Sequence, residues 1–312
     1  MINVVAAAIR DSMNRILIAK RPDHVHKGGL WEFPGGKSES AETREQALVR
    51  ELHEELGLNA TVFRPLIRIP HHYPDKSVLL DVWEVTGWQG EPHGKEGQPI
   101  EWVDADRLHE YDFPEANLPI ITACRLPTHY LITPALEGDK EHFLQQLSSA
   151  LANGIKLVQL RQKDLSVDEF ESLAQQVIKV CHDAGARVLL NAAPEMVIRL
   201  NADGVQLNAS GLMGLDERPL PESYLVAASC HDEYEIRKAC DIGIDFMVLS
   251  PVQATASHPG ALPLGWQRFS ELTERSTIPV YALGGVSKEQ IEMAWQHGGQ
   301  GISAIRALWS SS

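Results

Sequence analysis

The chain is short of cysteine and of positive charge, and it has no long apolar run. Its 312 residues include four cysteines, Cys124, Cys181, Cys230 and Cys240, without a C-x-x-C pair or metal-ligand spacing. That argues against a disulfide framework or a cysteine-built zinc site and favours thiols in a reducing cytosol. Lys and Arg number 28 against 42 Asp and Glu, a net charge of −14. Residues 1–126 carry 14 basic and 20 acidic side chains, net −6; the remainder carries 14 and 22, net −8. Neither half is built to coat a nucleic-acid polymer, whose phosphates call for Lys and Arg. A free nucleotide arriving with Mg²⁺ suits an acidic protein. The opening MINVVAAAIR has no basic segment before its apolar run, and the run is too short for a secretory signal or a membrane span. It reads as a strand, and a cytoplasmic protein without a membrane partner is expected.

What is there begins with an apolar fraction of 44%, enough for two packed cores, and a length that suggests two domains. The densest information lies in residues 36–58. Gly36 is followed after five residues by Glu42, and seven more lead to Arg50-Glu51-Leu52, then Glu54-Glu55 and Gly57-Leu58. Thr43 with Gln46 forms a capping box that starts a helix, and Gly57 stops it. Leu48, Leu52 and Leu56 recur every four residues as a buried stripe. Glu51, Glu54 and Glu55 then share one arc beside that stripe, where like charges repel. A hard, oxygen-seeking cation relieves the repulsion and bridges to substrate phosphates. A lone E-x-x-E-E is usually a solvated helix face; Gly36, Glu42 and Arg50 at these spacings favour the metal reading.

Around the helix, NVVAAAI and RILIAKR form a hairpin across Asp11-Ser12-Met13-Asn14, and TVFRPLIRI and SVLLDVWEVTGW are further strands. EWVDADRL passes from strand to helix, and a helix from about Glu115 closes a mixed α/β unit. From Tyr130 the grammar becomes strand–helix alternation, with strands YLIT, KLVQLR, RVLLN, GVQL, LVAASC, FMVLSP, PVYALGG and GISAI. Eight such units imply a parallel sheet closed as a small (β/α)₈ barrel, with a doubly wound open sheet as the alternative.

The first unit resembles the MutT-type Nudix hydrolases, through the full box and through LWEFPGGK (30–37), GEPHGKEGQP (90–99) and DFPEANLP (112–119). The resemblance implies an α/β/α sandwich with a mixed sheet over residues 1–126. It also implies hydrolysis of 8-oxo-dGTP to 8-oxo-dGMP and pyrophosphate, which cleans the nucleotide pool for DNA replication. It assigns Mg²⁺, with Mn²⁺ as substitute, to Glu51, Glu54, Glu55, Glu96 and a carbonyl of Gly35 or Gly36, with Glu51 as the base. It assigns the substrate to Arg21, Phe33, Lys76 and Asn117. Residues 127–312 resemble the thiamine-phosphate synthase and TenI family, which implies a TIM-type barrel. The matching positions for a phosphorylated ligand are Arg161, Lys163, Asn191, Ser229, Gly284, Gly285 and Ser303. The family's Mg²⁺ aspartates are absent: the chain reads Asn191-Ala192-Ala193 and QLNASG (206–211). Its lysine is His258, and the histidine sought after the sixth strand is Pro251. The barrel is therefore expected to keep its phosphate grips with catalysis lost or altered. The alternatives are a Nudix enzyme for another nucleoside or thiamine diphosphate, and a barrel that senses or makes thiamine phosphate.

Overall fold

Alternation along two strands decides the first unit. In β1 (Ile2–Arg10) and β2 (Arg15–Lys20), Ala6, Ala8, Ile16 and Ile18 face one core, while Ala7, Ile9 and Leu17 face another. A sheet apolar on both faces must be covered twice. The computed structural model describes residues 1–23, 27–72, 77–255, 260 and 262–309. The chain separates into two units, one ending at Arg125 and one beginning at Leu126.

The β1–β2 hairpin forms as its turn residues dictate. Asp11 Oδ1 accepts from the Met13 and Arg15 N–H groups at 2.9 and 2.8 Å, and Asn14 takes a left-handed φ of 65°. With β3 (Trp31–Glu32), β4 (Asn59–His72), β5 (Ser77–Gln89) and β6 (Ile100–Asp104), the sheet runs β3-β2-β1-β5-β4, and β6 pairs with β2. β1 and β5 are parallel and the other pairs antiparallel, so the sheet is mixed. Pro65 and Pro70 are tolerated because β4 is an edge strand. Helix α1 (Arg44–Leu56) covers one face with Leu48, Leu52 and Leu56, all fully buried. Each such leucine contributes about 2 kcal/mol. Helix α2 (Leu118–Arg125) covers the other through Ile120 and Ile121.

One buried charge network ties β1, β4 and β5 together. Glu84 accepts from Arg10 Nε at 2.7 Å and pairs with Arg64 Nη2 at 2.6 Å; Arg10 Nη2 continues to the Cys124 carbonyl at 2.7 Å. Burial pushes the Glu84 carboxyl up, but Arg64 and Arg10 together outweigh it and leave it below its ordinary 4.5. A depressed folded value means stability that is present above 4.5 and lost as pH falls through the folded value. Glu84→Gln is therefore expected to cost about 3 kcal/mol at pH 7. In urea unfolding across pH, that difference should shrink below 4.5, where wild-type Glu84 itself protonates. A difference that stays constant to low pH would contradict it.

The second unit is a closed barrel of eight parallel strands, not an open sheet. They are β7 (His129–Ile132), β8 (Leu157–Leu160), β9 (Arg187–Leu190), β10 (Gly204–Leu207), β11 (Leu225–Cys230), β12 (Phe246–Leu249), β13 (Val280–Leu283) and β14 (Gly301–Ala304). All eight predicted strands are present. Helices α3 (Lys140–Ala152), α4 (Val167–Asp183), α5 (Pro194–Leu200), α6 (Ala209–Met213), α7 (Glu233–Asp241), α8 (Gly265–Thr273) and α9 (Ile291–Gln296) lie between them. Tyr130, Leu157, Leu189, Ala227, Phe246, Val248 and Tyr281 fill the interior, and the alternate residues pack against the helices. The barrel is a core with a mouth, and the mouth is at the strands' C-terminal ends.

Candidate active site

The box helix is built as its sequence requires. Thr43 Oγ1 accepts from the Gln46 N–H at 3.3 Å, the Gln46 side chain accepts from the Thr43 N–H at 2.8 Å, and Gly57 ends the helix at φ 70°. Its unsatisfied C-terminal carbonyls are taken by residues 93–98. The N–H groups of His93 and Lys95 donate to Leu56 and Glu55 at 3.1 and 2.9 Å. Lys95 Nζ donates to His53 at 3.0 Å, and Gln98 Nε2 to Glu55 at 3.1 Å. A lysine suits the negative end of a helix. This cap carries Glu96 to the acidic flank of α1.

A second segment, residues 34–38, lies along β1. Val5 and Ala7 N–H groups donate to the Gly36 and Pro34 carbonyls at 2.9 and 2.8 Å, and Ser38 returns a bond to Asn3 at 3.1 Å. A side chain on Gly35, at φ 150°, would strike the Val5 carbonyl, and one on Gly36 would strike the Glu51 carboxylate. The glycines allow backbone and carboxylate to touch. Gly35 N–H donates to Glu55 Oε2 at 3.0 Å. Arg50 gathers the rest: it pairs with Glu42 at 2.7 Å, as expected, and also with Glu51 at 2.8 Å and Glu54 at 3.1 Å. Burial, more than any other cause, pushes the Glu55 carboxyl up to about 8. The Gly35 N–H opposes the rise, and the charges of Glu32, Glu51 and Glu96 add to it.

On the opposite face of the sheet lies an aromatic cluster. Phe33 stacks on Phe113 with ring centroids 5.4 Å apart, and Trp31 meets Tyr111 edge-on at 5.5 Å. Trp31 N–H donates to the Asp112 carbonyl at 2.8 Å, which holds residues 112–117 beside β3. Asn117 ends a short 3-10 turn, Glu115–Asn117, and its N–H bonds the Pro114 carbonyl at 2.8 Å. Its side-chain amide is half-exposed and makes no hydrogen bond among the described residues, so it is not a helix cap. Arg21 does not join Phe33. It forms an ion pair with Glu32 on the α1 side of the sheet. Strand parity sets Arg21 and Phe33, both assigned to the substrate by the resemblance, on opposite faces of the sheet. Phe113 and Glu32 escaped the sequence reading; the WEF and DFPE segments carried the only signal.

At the barrel mouth, Asn191 Nδ2 donates to the Gln206 carbonyl at 2.9 Å. Gln206 Nε2 reaches Ser229 Oγ at 3.3 Å, and Tyr130 Oη donates to Gln206 Oε1 at 2.9 Å. Gln206, unforeseen from sequence, is thus the hub joining two predicted positions. The half-buried Arg161 side chain pairs with no acid among the described residues, and desolvation pushes its pKa down. Lys163 is exposed. Gly284 and Gly285 turn after β13 at φ 95° and 67°, packed against residues 251–254. Ser303 is fully buried, and its hydroxyl donates to the Tyr130 carbonyl at 3.0 Å. Its hydroxyl is thus committed to the barrel wall. His231, just past β11, holds Glu235 through Nδ1 at 3.0 Å.

Family models match both units: "NUDIX domain" over residues 5–123 and "Thiamine monophosphate synthase" over residues 129–308. The chain belongs to both families. Over 120 residues the Nudix unit is 43% identical to the 8-oxo-dGTP diphosphatase of Escherichia coli, covering 38% of this chain and 93% of that protein. Over 124 residues it is 40% identical to the CTP pyrophosphohydrolase of the same organism, covering 39% and 90%. The barrel is 29% identical over 191 residues to the thiamine-phosphate synthase of Syntrophomonas wolfei, covering 59% and 88%. The Nudix unit is thus a hydrolase of pyrophosphate linkages, and its relatives differ in the base they take.

A Nudix unit implies a divalent metal. Among the described residues no three His, Cys, Asp or Glu side chains form a ready-made cluster. Arg50 pairs with Glu51 and Glu54, while Glu55 bonds Gly35. The donors nonetheless fit a hard cation: all are oxygens, and Glu32, Glu51 and Glu96 bring their charges to bear on Glu55. Lys76 and His258 lie outside the described residues. No described helix is long and apolar enough to cross a membrane.

Proposed function

We propose that the Nudix domain, residues 1–126, hydrolyses 8-oxo-dGTP to 8-oxo-dGMP and pyrophosphate. The observation that carries the reading is the Asn117 amide, which makes no hydrogen bond among the described residues and follows Phe113 of the Phe33–Phe113 stack by four residues. An amide offers donor and acceptor together, which matches a purine edge with O6 and an N7–H. Glu51, Glu54, Glu55, Glu96 and the Gly35 carbonyl would hold Mg²⁺ or Mn²⁺; the Gly36 carbonyl already accepts from Val5. When bound, the metal neutralises phosphoryl oxygens and acidifies the attacking water. Glu51, held by Arg50 against Gly36, accepts the proton of the water that attacks the β-phosphorus.

The test is steady-state turnover of 8-oxo-dGTP, dGTP, CTP and thiamine diphosphate, with and without Mg²⁺, with products identified. 8-oxo-dGTP should exceed dGTP in kcat/KM by about a hundredfold or more. Equal turnover of the two would remove the oxidised-purine reading, and a preference for CTP would favour the second reading, a nucleotide diphosphatase of different base choice. That second reading draws on the 40% identity to the CTP enzyme.

For the barrel domain, residues 127–312, we propose a phosphate-holding module without the Mg²⁺ chemistry of its family. Arg161, which pairs with no acid among the described residues, and the Gly284-Gly285 turn support this. Calorimetry of the full chain with thiamine phosphate should show binding that Arg161→Ala weakens about tenfold. No heat at millimolar ligand would end the proposal.

A further inference from the structure

Strand pairing gives Arg21 and Glu32 a position that the aromatic cluster does not explain. Ala19 lies opposite Glu32 in the β2–β3 ladder, and Arg21 N–H continues that ladder to the Leu30 carbonyl at 2.9 Å. Residues directly opposite share a face, and so do residues two apart. Leu17, Ala19, Arg21 and Glu32 are therefore on the α1 side, with Glu51 and Glu55, whereas Trp31 and Phe33 pack on the other. The ion pair from Arg21 Nη1 to Glu32 Oε2 is a diagonal contact on that face.

Glu32 is costly there. Its carboxyl is half-buried, and that burial holds its pKa above the usual range even against Arg21. Its charge also adds to the repulsion on Glu55. Folding gains little from another carboxylate beside Glu51, Glu55 and Glu96, so the return on keeping it lies in what it does to Arg21. A triphosphate approaching this face meets four carboxylates, and a guanidinium fixed among them supplies planar donors suited to phosphate oxygens.

We propose that Glu32 is a positioning residue of the Nudix domain, holding Arg21 on the carboxylate side of the sheet so that its guanidinium meets the β- and γ-phosphates, not the base. The proposal rests on the nucleotide-hydrolase reading above. Glu32→Gln removes the charge and keeps the shape. KM for 8-oxo-dGTP and dGTP should rise together, about tenfold, with their ratio and kcat little changed. Inhibition by 8-oxo-dGMP, which lacks those phosphates, should stay as in the wild type. Arg21→Gln approaches the same contact from its other partner and covers the case in which Glu32→Gln folds poorly. The double variant Arg21→Gln/Glu32→Gln should lose no more than the worse single one. Binding of a nonhydrolysable α,β-imido triphosphate with Mg²⁺ gives the same comparison without turnover.

A shift in the 8-oxo-dGTP to dGTP ratio would make Arg21 a base reader and overturn the proposal. So would equal loss of mono- and triphosphate binding, additive losses in the double variant, or no triphosphate binding at all. The substrate reading fails differently: if another triphosphate is preferred, the coupling still appears with that nucleotide while the oxidised-purine preference vanishes.

Discussion

Glu51→Gln should lower kcat about a thousandfold, the usual scale for loss of a positioned general base, with little change in melting temperature. The fold survives because the amide matches the carboxylate in size. Its oxygen can keep the 2.8 Å contact with Arg50, and Arg50 retains Glu42. What is lost is a proton acceptor lying against Gly36, where a side chain would collide with that carboxylate. Steady-state kcat with saturating Mg²⁺ is the measurement. A loss of less than tenfold would place the acceptor elsewhere, with Glu55 and Glu96 the next to be substituted.

Asn117→Ala should act on choice and not on chemistry. Oxidation at C8 turns N7 from an acceptor into a donor, and only a site wired for that donor separates the two nucleotides. A pocket that loses its matching amide falls back on shape and stacking, which reject isosteres weakly. The 8-oxo-dGTP preference in kcat/KM should fall about a hundredfold, while dGTP turnover holds steady. The Phe33–Phe113 stack does not depend on Asn117, so the pocket wall should persist. An unchanged preference would mean that Asn117 faces solvent without reading the base.

The box helix was legible because its signals are local. Thr43 and Gln46 are three residues apart, Leu48 through Leu56 recur by fours, and Gly57 follows directly. The eight barrel strands were legible for a similar reason, since each is a short apolar run bounded by turn residues. β3 was not: two residues carry no period, and the strand exists because Ala19 and Lys20 pair with them. Which way a side chain faces was hidden by that same gap. Arg21 was grouped with Phe33, and only the register of β3 shows that they face apart. Ser303 follows a recognisable pattern, yet its place in β14 turns the hydroxyl to Tyr130. Phe113 and Gln206 act through partners 80 and 76 residues away or on a neighbouring strand, a distance at which spacing carries no information.

The cap that residues 93–98 place on α1 also restricts how this domain can change. Four hydrogen bonds from His93, Lys95 and Gln98 end on carbonyls of the helix's last turn. Inserting or deleting a residue there would shift those donors by one position and strip them from the Glu55 and Leu56 carbonyls. Surface loops ordinarily absorb length changes, but this one is indexed to a helix end. Within a lineage, the spacing from Gly57 to Glu96 should therefore vary only on the β5 side of the loop, before His93.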